Sequence, residues 1–302
     1  MSNEGIRLGV SASALSADPR ITARTAREIG FAGVQFDAVS FGIDLTTLSG
    51  SGRRELRGIL SAQDRELIGL RADAGLKGLG LGADVDRVID KLAKVMETAA
   101  GMGSPLVCAE LGPLPPAPIV EQRAPEPTAL QAGLILLPER SREPAKPKRE
   151  PPPPPDPAFV SQVNAAMAEL GRHADRYSTI VAFRSDLASY ASMELVLHDA
   201  SCPWFGIDLD PVSVLRDEWD LHELFSRLGP QIRHVRGRDA VGGAERRTKS
   251  AIVGQGSVEW ETLLADLEQT GYQGWITIDP ADLTDRAAAA RSGVKYLKSL
   301  IP

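Results

Sequence analysis

Aromatic side chains and cysteines are scarce in this chain, and each shortage narrows the kinds of protein it can be. Only 5% of its 302 residues are aromatic while 43% are hydrophobic, so the core is expected to be mainly aliphatic. The two cysteines, Cys108 and Cys202, lie in or just before apolar runs and are expected to be small buried side chains. A disulfide is therefore not needed.

The chain also lacks an excess of positive charge and a long apolar run. Its formal net charge is −6, which gives no general attraction to phosphate backbones or anionic membrane surfaces. Residues 1–7 contain an acid and no apolar core, so neither a secretory signal nor a membrane span is recognisable there. We therefore expect a cytoplasmic protein that binds neither nucleic acid nor membrane.

Short apolar runs alternate with segments of helical periodicity along most of the chain. Such runs are typical of parallel strands that helices cover on both faces. Strands are predicted at residues 6–10, 34–37, 67–70, 105–110, 179–183, 205–208, 232–235 and 275–278, and helices at 21–29, 53–66, 85–102, 158–177, 189–199, 221–228, 259–270 and 286–300. Eight alternating units predict an α/β fold, a single (β/α)8 TIM barrel domain over residues 1–302, because that fold needs roughly 250 residues.

Proline interrupts this pattern after the fourth predicted strand. Residues 113–157 contain 15 of the 22 prolines, and proline removes amide donors and fixes φ. We predict an insertion in the barrel there, partly mobile, in which 129–137 is apolar and strand-like and 139–156 is extended. It is either a loop without a catalytic part or a docking site for a protein partner.

Five stretches resemble a known family. They are Ala26-Arg-Glu-Ile-Gly-Phe-Ala-Gly-Val-Gln-Phe36, Gly206-Ile-Asp-Leu-Asp-Pro211, Ile232-Arg-His-Val-Arg-Gly-Arg-Asp239, Gly254-Gln-Gly-Ser-Val-Glu-Trp260 and Gly271-Tyr-Gln-Gly-Trp275-Ile-Thr-Ile. Together they are similar to the xylose isomerase-like barrel superfamily, in particular to the proteins called sugar phosphate isomerases/epimerases. The resemblance covers nearly the whole chain outside the proline-rich segment, more weakly in its middle.

The resemblance implies an isomerase or epimerase of a sugar or sugar-derived polyol that uses one divalent metal ion (Mn, Mg, Zn or Co). In active members the metal is held by a Glu after strand five, an Asp after strand six, a His on strand seven and a Glu after strand eight. The metal polarises the sugar carbonyl and hydroxyl, while the two Glu residues move a proton between neighbouring carbons.

This sequence departs from that ligand set at three of four positions. Arg184 stands where the first carboxylate is expected, Asp210 keeps the acid after strand six, and Asp279 is one methylene shorter than Glu. Arg236 replaces the expected histidine, and His234 lies two residues earlier, on the same face of a strand. Arginine stays protonated and cannot ligate a metal, so we expect a degenerate metal site in which Asp210 is the one ligand retained.

Three interpretations of these changes remain open. The arginines could pair with the acids as a salt-bridged cluster, or a metal site could survive with Glu110, Asp208 or Asp186 as substitute ligands. Alternatively, the site could be remodelled to hold an anionic sugar such as a sugar phosphate, because Arg binds phosphate and carboxylate through a fork of donors. The candidate substrate-binding residues are then Arg184, His234, Arg236 and Arg238, and the candidate proton-transfer residues are Asp279 and Glu110.

The resemblance, and no complete constellation of residues, favours an enzyme, an isomerase or epimerase, over two alternatives. The first alternative is a catalytically inactive barrel retained as a small-anion-binding or scaffold protein, which Arg184 and Arg236 favour. The second is an abasic-site endonuclease on the same barrel, which four histidines and a net charge of −6 argue against. A loop at 254–256 lies where barrels often hold phosphate, although a solvated basic loop is the favoured interpretation.

Overall fold

The structure, a computed structural model, describes residues 5–40, 43–104, 106–117, 154–217, 219–242 and 247–301. Eight parallel strands close into a barrel, with β1 hydrogen-bonded to both β2 and β8. The barrel strands are β1 (Arg7–Ser11), β2 (Gly33–Asp37), β3 (Glu66–Ala72), β4 (Leu106–Glu110), β5 (Ile180–Arg184), β6 (Phe205–Leu209), β7 (Ile232–Gly237) and β8 (Trp275–Ile278). The predicted (β/α)8 barrel is confirmed.

Helices surround the barrel. Those in the described ranges are α1 (Pro19–Ile29), α2 (Gly50–Ser61), α3 (Val85–Gly101), α4 (Pro157–Tyr177), α5 (Tyr190–Ala200), α6 (Pro211–Asp217), α7 (Leu221–Leu228), α8 (Trp260–Gln269) and α9 (Arg286–Leu300). Local signals set their ends: Asp18 caps α1 by accepting from the amide of Arg20 at 2.8 Å, and Gly30 ends it with φ of 94°. None of the helices in these ranges is both long and apolar enough to cross a membrane.

The second helix differs from its prediction at both ends. Ser49 caps it by accepting from the amide of Gly52, so it begins at Gly50 instead of 53. It ends at Ser61, the chain reverses at Asp64 with φ of 53°, and Glu66, predicted as helical, begins β3. Helix α6 and two short antiparallel hairpins, Val39–Ser40 with Ile43–Asp44 and Asp239–Gly242 with Thr248–Ala251, were not predicted.

The main core lies between the barrel and the helices. Each strand directs at least one fully buried aliphatic side chain outward: Val10, Val34, Leu70, Val107, Val181, Ile207, Val235 and Ile276. Inside the barrel, Ile68 and Trp275 fill the end opposite the mouth. They fit because Gly9 and Gly33 have no side chains: a Cβ would lie 2.0 Å from Ile68 at Gly9 and 2.8 Å from Ile68 and Trp275 at Gly33.

Both ends of the predicted insertion belong to the packed structure. Leu114 is buried, and the amide of Ala117 donates to Ser192 Oγ at 3.1 Å. At the other end, Asp156 caps α4 by accepting from the amide of Ala158 at 2.9 Å, and Pro157 is the first residue of that helix. Residues 118–153, including the strand-like piece, most of the extended excursion and the suggested protein docking site, lie outside the described residues.

Asp239 fixes the loop that connects β7 to α8. Its buried carboxylate accepts from the amides of Gly254 at 2.9 Å, Gly256 at 3.2 Å and Val258 at 3.1 Å, and from the indole of Trp260 at 3.2 Å. The amides of the 254–256 loop that a phosphate would need are therefore directed at the protein's own carboxylate.

Replacing Asp239 by Asn is expected to destabilise the fold. The side-chain NH2 group of Asn would face the N–H groups that now donate to the carboxylate, and two donors cannot hydrogen-bond each other. We therefore expect the free energy of unfolding, measured with urea, to fall by at least about 2 kcal/mol. Asp220→Asn is the matched control, since Asp220 is exposed and caps α7 through one amide at 2.8 Å. Asn caps helices as well as Asp does, so the control should change stability by less than ~0.5 kcal/mol. Equal effects of the two changes would contradict the role of Asp239.

Candidate functional site

A ring of alternating charge forms the mouth of the barrel. Since side chains in a strand alternate between two faces, the inward residues at the carboxyl ends of β2 to β8 reach the same level. In barrel order they are Asp37, Arg71, Glu110, Arg184, Asp210, Arg236 and Asp279. Acid and arginine alternate without exception around these seven positions, which we call the mouth ring.

One half of the mouth ring is sealed by ion pairs around Asp279. Arg236 donates to Asp279, and Arg71 donates to Asp279 Oδ2 at 2.6 Å and to Asp37 Oδ1 at 2.5 Å. Arg236 and Asp279 are 6% and 5% exposed. Burial would raise the pKa of Asp279, but the two guanidinium groups hold it well below its usual range. Burial likewise opposes the charge of Arg236, yet the carboxylates of Asp279, Asp210 and Asp208 raise its pKa.

The other half is more open and centres on Arg184. Its Nε lies 3.2 Å from Glu110 Oε2, and its Nη1 lies 3.0 Å from both Asp186 oxygens and 3.9 Å from Asp210 Oδ2. Glu110 Oε1 accepts from the amide of Asp186 at 2.8 Å, whereas Oε2 makes no hydrogen bond of good geometry in the described part of the chain. Burial raises the pKa of Glu110, and the neighbouring Arg184 only partly offsets this.

A buried polar layer lies one pleat below the mouth ring. His234 contacts Asp208 Oδ1 through Nδ1 at 2.6 Å and Thr277 Oγ1 through Nε2 at 2.7 Å, and Gln35 Nε2 donates to Cys108 Sγ at 3.3 Å. Burial alone would lower the pKa of His234, but Cys108 and Asp208 raise it to about 10. The raised pKa favours the protonated imidazole, which can donate to both Asp208 and Thr277.

A cleft of about 490 Å³ opens beside four members of the mouth ring, Asp37, Arg71, Glu110 and Arg184. It is lined by polar groups and by residues of the loops that follow β2, β3, β4 and β5, the charged ones being Asp37, Arg71, Asp73, Glu110, Arg184, Asp186 and Asp208. Five carboxyl groups thus face two guanidinium groups. Its volume is within the range of roughly 300–1,000 Å³ typical of small-molecule sites.

The residues at the family's expected metal position do not fit a metal ion. Arg184 and Arg236 place fixed positive charges at two of the four ligand positions, and Arg236 contacts Asp279. Asp210, the expected remaining ligand, accepts from Arg238 Nη1 at 2.7 Å and from the amide of Val212 at 3.0 Å. Asp279 Oδ1 has no hydrogen-bond partner in the described ranges, but a single oxygen between two guanidinium groups is not a ligand set.

A second group of possible ligands lies in the buried layer. Atoms of Cys108, Asp208 and His234 are all within 4.8 Å of one another. However, His234 Nδ1 and Asp208 Oδ1 are 2.6 Å apart, closer than the roughly 3.3 Å between two ligands on a tetrahedral zinc ion with bonds of ~2.0–2.1 Å. The histidine would also have to lose a proton. As arranged, the group is a hydrogen-bonded network.

The structure separates the residues that the sequence suggested for the site. Glu110 and Arg184 line the cleft, together with the substitute ligands Asp186 and Asp208. Asp279, His234 and Arg236 are buried in ion pairs or hydrogen bonds, and none of them lines the cleft. Arg238 bridges Asp210 and Asp282, at 2.7 Å from each, also away from the cleft.

Sequence reasoning missed Asp37 and Arg71. Both belong to the mouth ring and line the cleft. Arg71 lay just beyond the predicted end of the third strand at residue 70, whereas β3 continues to Ala72. The signal that could have found them is the period of two along a strand, because Asp37 and Arg71 are each the inward-facing polar residue at the end of their strand.

Comparisons with known proteins agree with this architecture. The family described as xylose isomerase-like TIM barrel matches residues 23–300. Among solved structures, a xylose isomerase domain protein from Planctomyces limnophilus has 17% identity and a TM-score of 0.68, covering 98% of this chain and 95% of the other. A D-allulose 3-epimerase from Methylomonas sp., in complex with D-allulose, has 13% identity and a TM-score of 0.65, covering 99% and 98%.

A third similar structure contains a metal. It is a xylose isomerase-like TIM barrel protein from Mycobacterium smegmatis in complex with magnesium, with 14% identity, a TM-score of 0.66 and coverage of 99% of this chain and 98% of the other. A search of curated proteins returned no significant match. At these identities the structural likeness shows the fold alone.

Removing the negative charge of Asp279 is expected to destabilise the protein strongly. Asp279→Asn keeps the side-chain volume but leaves Arg236 and Arg71 without their shared carboxylate, which typically costs about 3–5 kcal/mol for a buried pair. Asp282→Asn removes the exposed partner of Arg238 and should cost less than ~1 kcal/mol. Urea unfolding of both variants is the measurement. A loss below ~1 kcal/mol for Asp279→Asn would show that the buried pairing does not stabilise the fold.

Arg236 is expected to prevent metal binding. Repulsion between two unit charges ~5 Å apart is about 3 kcal/mol at an effective dielectric constant of ~20, equivalent to roughly 100-fold in affinity. Arg236→His should therefore strengthen Mn²⁺ binding by at least that factor in calorimetric titrations. The control is Arg233→His on the same strand, where Arg233 donates to the carbonyl of Pro230 at 3.0 Å, outside the ring. The unchanged protein should not retain a metal through dialysis. Retention of about one equivalent of Mn, Mg, Zn or Co would contradict the role of Arg236.

Proposed function

Since the chain belongs to the xylose isomerase-like TIM barrel family, we propose that it is an isomerase or epimerase acting on a sugar or sugar-derived polyol in the cleft at the mouth ring. The observation that carries the proposal is Glu110. This residue lines the cleft, and its Oε2 is buried 3.2 Å from Arg184 Nε without a hydrogen bond of good geometry in the described ranges. The D-allulose 3-epimerase among the structural relatives supports a carbonyl-bearing sugar as the substrate class.

In this proposal Glu110 transfers the proton. Its carboxylate takes a proton from the carbon next to the carbonyl, the C–H electron pair forms a C=C bond, and the carbonyl oxygen becomes negatively charged. Arg184, and across the cleft Arg71, donate to that oxygen and stabilise its charge. For an isomerisation, the hydroxyl proton on the neighbouring carbon also moves to the former carbonyl oxygen, so that this carbon becomes the new carbonyl, and Glu110 returns its proton to the former carbonyl carbon. Epimerisation instead requires protonation of the same carbon on its opposite face, and Asp37 is the other ring carboxylate in the cleft.

The pKa values favour Glu110 over Asp279 for this role. A general base works best when its pKa is close to the working pH, and burial raises the pKa of Glu110 towards neutrality. The two guanidinium groups hold the pKa of Asp279 far below neutrality, and this residue does not line the cleft. Asp279 therefore acts in this proposal by positioning Arg71 and Arg236.

The charge of the cleft favours a neutral substrate over a sugar phosphate. Five carboxyl groups and two guanidinium groups line it, and both arginines already pair with acids. A phosphate would meet an excess of negative charge, whereas hydroxyl groups can donate to carboxylates and accept from guanidinium groups. We therefore assign a neutral sugar or polyol to the site.

Solvent-proton exchange tests the enzymatic proposal. Neutral ketoses and aldoses, including D-allulose, D-fructose and D-xylose, are incubated with the protein in D2O, and deuterium at the carbon next to the carbonyl is followed by NMR. We expect exchange with at least one sugar, and a decrease of ~100-fold or more in Glu110→Gln, the usual contribution of a general base. Glu97→Gln, an exposed glutamate on α3, is the control and should retain the full rate.

The pH dependence gives a second check. The exchange rate should rise as Glu110 loses its proton, with a midpoint above the ordinary value of 4.5 for Glu, because the folded-state pKa is raised. A midpoint at or below 4.5, or full exchange in Glu110→Gln, would contradict the role of Glu110.

The second candidate function is a sugar-binding or scaffold barrel without catalysis. It is favoured by the ion pairs of the mouth ring, which occupy all three ring arginines. Binding of neutral sugars in calorimetric titrations, without exchange of any sugar in D2O, would support this function and exclude the enzymatic one.

A further inference from the structure

Exposed apolar side chains are concentrated at the cleft. In the described ranges the large hydrophobic residues that are well exposed are Ile21, Val39, Leu76, Leu81, Leu187 and Val241, and three of these six line this cleft. They are Val39 at 51%, Leu76 at 95% and Leu187 at 66% exposure. Single exposed apolar residues are common on protein surfaces, but a cluster at the opening of one cleft indicates a binding site.

The three residues come from three different loops that converge on one opening. Val39 follows β2, Leu76 follows β3 and Leu187 follows β5. Together they form the outer edge of the cleft, which we call the apolar rim, while the charged residues of the mouth ring form its floor. A molecule that fills the cleft therefore meets polar groups at one end and aliphatic side chains at the other.

Backbone hydrogen bonds fix the loops that carry the apolar rim. Beside Val39, the amide of Ala38 donates to the carbonyl of Arg71 at 2.8 Å. Around Leu187, the hydroxyl of buried Ser185 accepts from the amides of Leu187 at 3.2 Å and Ala188 at 3.0 Å, and donates to the carbonyl of Gly112 at 2.5 Å.

The loop of Leu76 is held in the same way on both sides. The amide of Gly75 donates to Asp73 Oδ1 at 2.8 Å, and the amide of Leu79 donates to the carbonyl of Leu111 at 2.8 Å. The hydrogen bonds thus fix the backbone that carries the three apolar side chains, which lowers the part of the entropic cost of binding that comes from ordering the loops.

We propose that the apolar rim is a subsite for an apolar substituent on the sugar. This inference rests on the proposed function, in which the cleft binds a neutral sugar. The substrate class is then a sugar that keeps a free carbonyl group and also carries an alkyl or aryl substituent; alkyl glucosides, which have no carbonyl, serve below only as probes of binding. The hydroxylated part lies on the floor near Glu110 and Arg184, and the apolar part contacts Val39, Leu76 and Leu187. A cleft of about 490 Å³ lies within the range for ligands of drug-like size.

A homologous series of alkyl β-D-glucosides, from methyl to hexyl, tests the subsite. Full burial of one CH2 corresponds to about 0.8 kcal/mol, or roughly fourfold in affinity, so we expect each added CH2 to tighten binding by about two- to fourfold. The double variant Leu76→Ser/Leu187→Ser should lose most of the increase in affinity along the series. Its folding should be unaffected, because both side chains are exposed.

Leu81→Ser is the matched control. Leu81 is 58% exposed and lies in the same connection between β3 and α3 as Leu76, but it does not line the cleft. It should leave the affinity increase per CH2 unchanged. In protein with ¹³C-labelled methyl groups, hexyl glucoside should shift the methyl signals of Val39, Leu76 and Leu187 and leave those of Leu81 in place.

Three results would overturn the subsite. The first is that the unchanged protein binds none of the glucosides, or binds them all with the same affinity. The second is that Leu81→Ser and the double substitution reduce the affinity increase equally, and the third is that the unchanged protein sediments as a dimer that only the double substitution dissociates. The last would assign the rim to a second copy of the chain. Failure of the subsite and failure of the enzymatic proposal are distinguishable, because the affinity series does not require proton exchange and the exchange assay uses free sugars without an apolar group.

Discussion

The structure depends on the requirement that a charge buried in the mouth of a barrel must have an opposite charge beside it. Seven neighbouring strands each direct one ionisable side chain to the same level; Asp210, Arg236 and Asp279 are buried there, and the other four groups are partly buried. Strict alternation of acid and arginine gives each guanidinium group carboxylates within reach on neighbouring strands. The same groups in another order would leave like charges adjacent, which is costly where the dielectric constant is low.

The alternation also decides which half of the mouth can do chemistry. Around β7 and β8, Arg236 occupies a position where the family resemblance implies a metal ligand, and the carboxylate of Asp279 is held between two guanidinium groups. Around β4 and β5, the pairing is looser, since Arg184 is shared among Glu110, Asp186 and Asp210 at 3.0–3.9 Å. The cleft extends from Asp37 and Arg71 to that looser half, where Glu110 combines partial burial with an oxygen that makes no hydrogen bond in the described ranges.

Most of the fold follows from the sequence. Apolar runs of strand length between amphipathic segments predicted all eight barrel strands, because an aliphatic residue must point outward into the core from each of them. The proline content predicted an insertion after β4, most of which lies outside the described residues. The errors lie where short-range chemistry sets a boundary: Ser49 begins α2 earlier than predicted, and the reversal at Asp64 moves Glu66 from helix to strand.

What the sequence by itself determined about the site is the set of groups at the strand ends, since a period of two fixes which residues point inward. It identified the arginines at two expected ligand positions and singled out Glu110. Only the tertiary structure decided which groups meet: the barrel brings Arg71 of β3 to Asp279 beyond β8, 208 residues away, and places Val39, Leu76 and Leu187 around one opening. The physical reason is closure of the sheet. Distances across a barrel depend on strand order and register, which no local pattern in the sequence encodes.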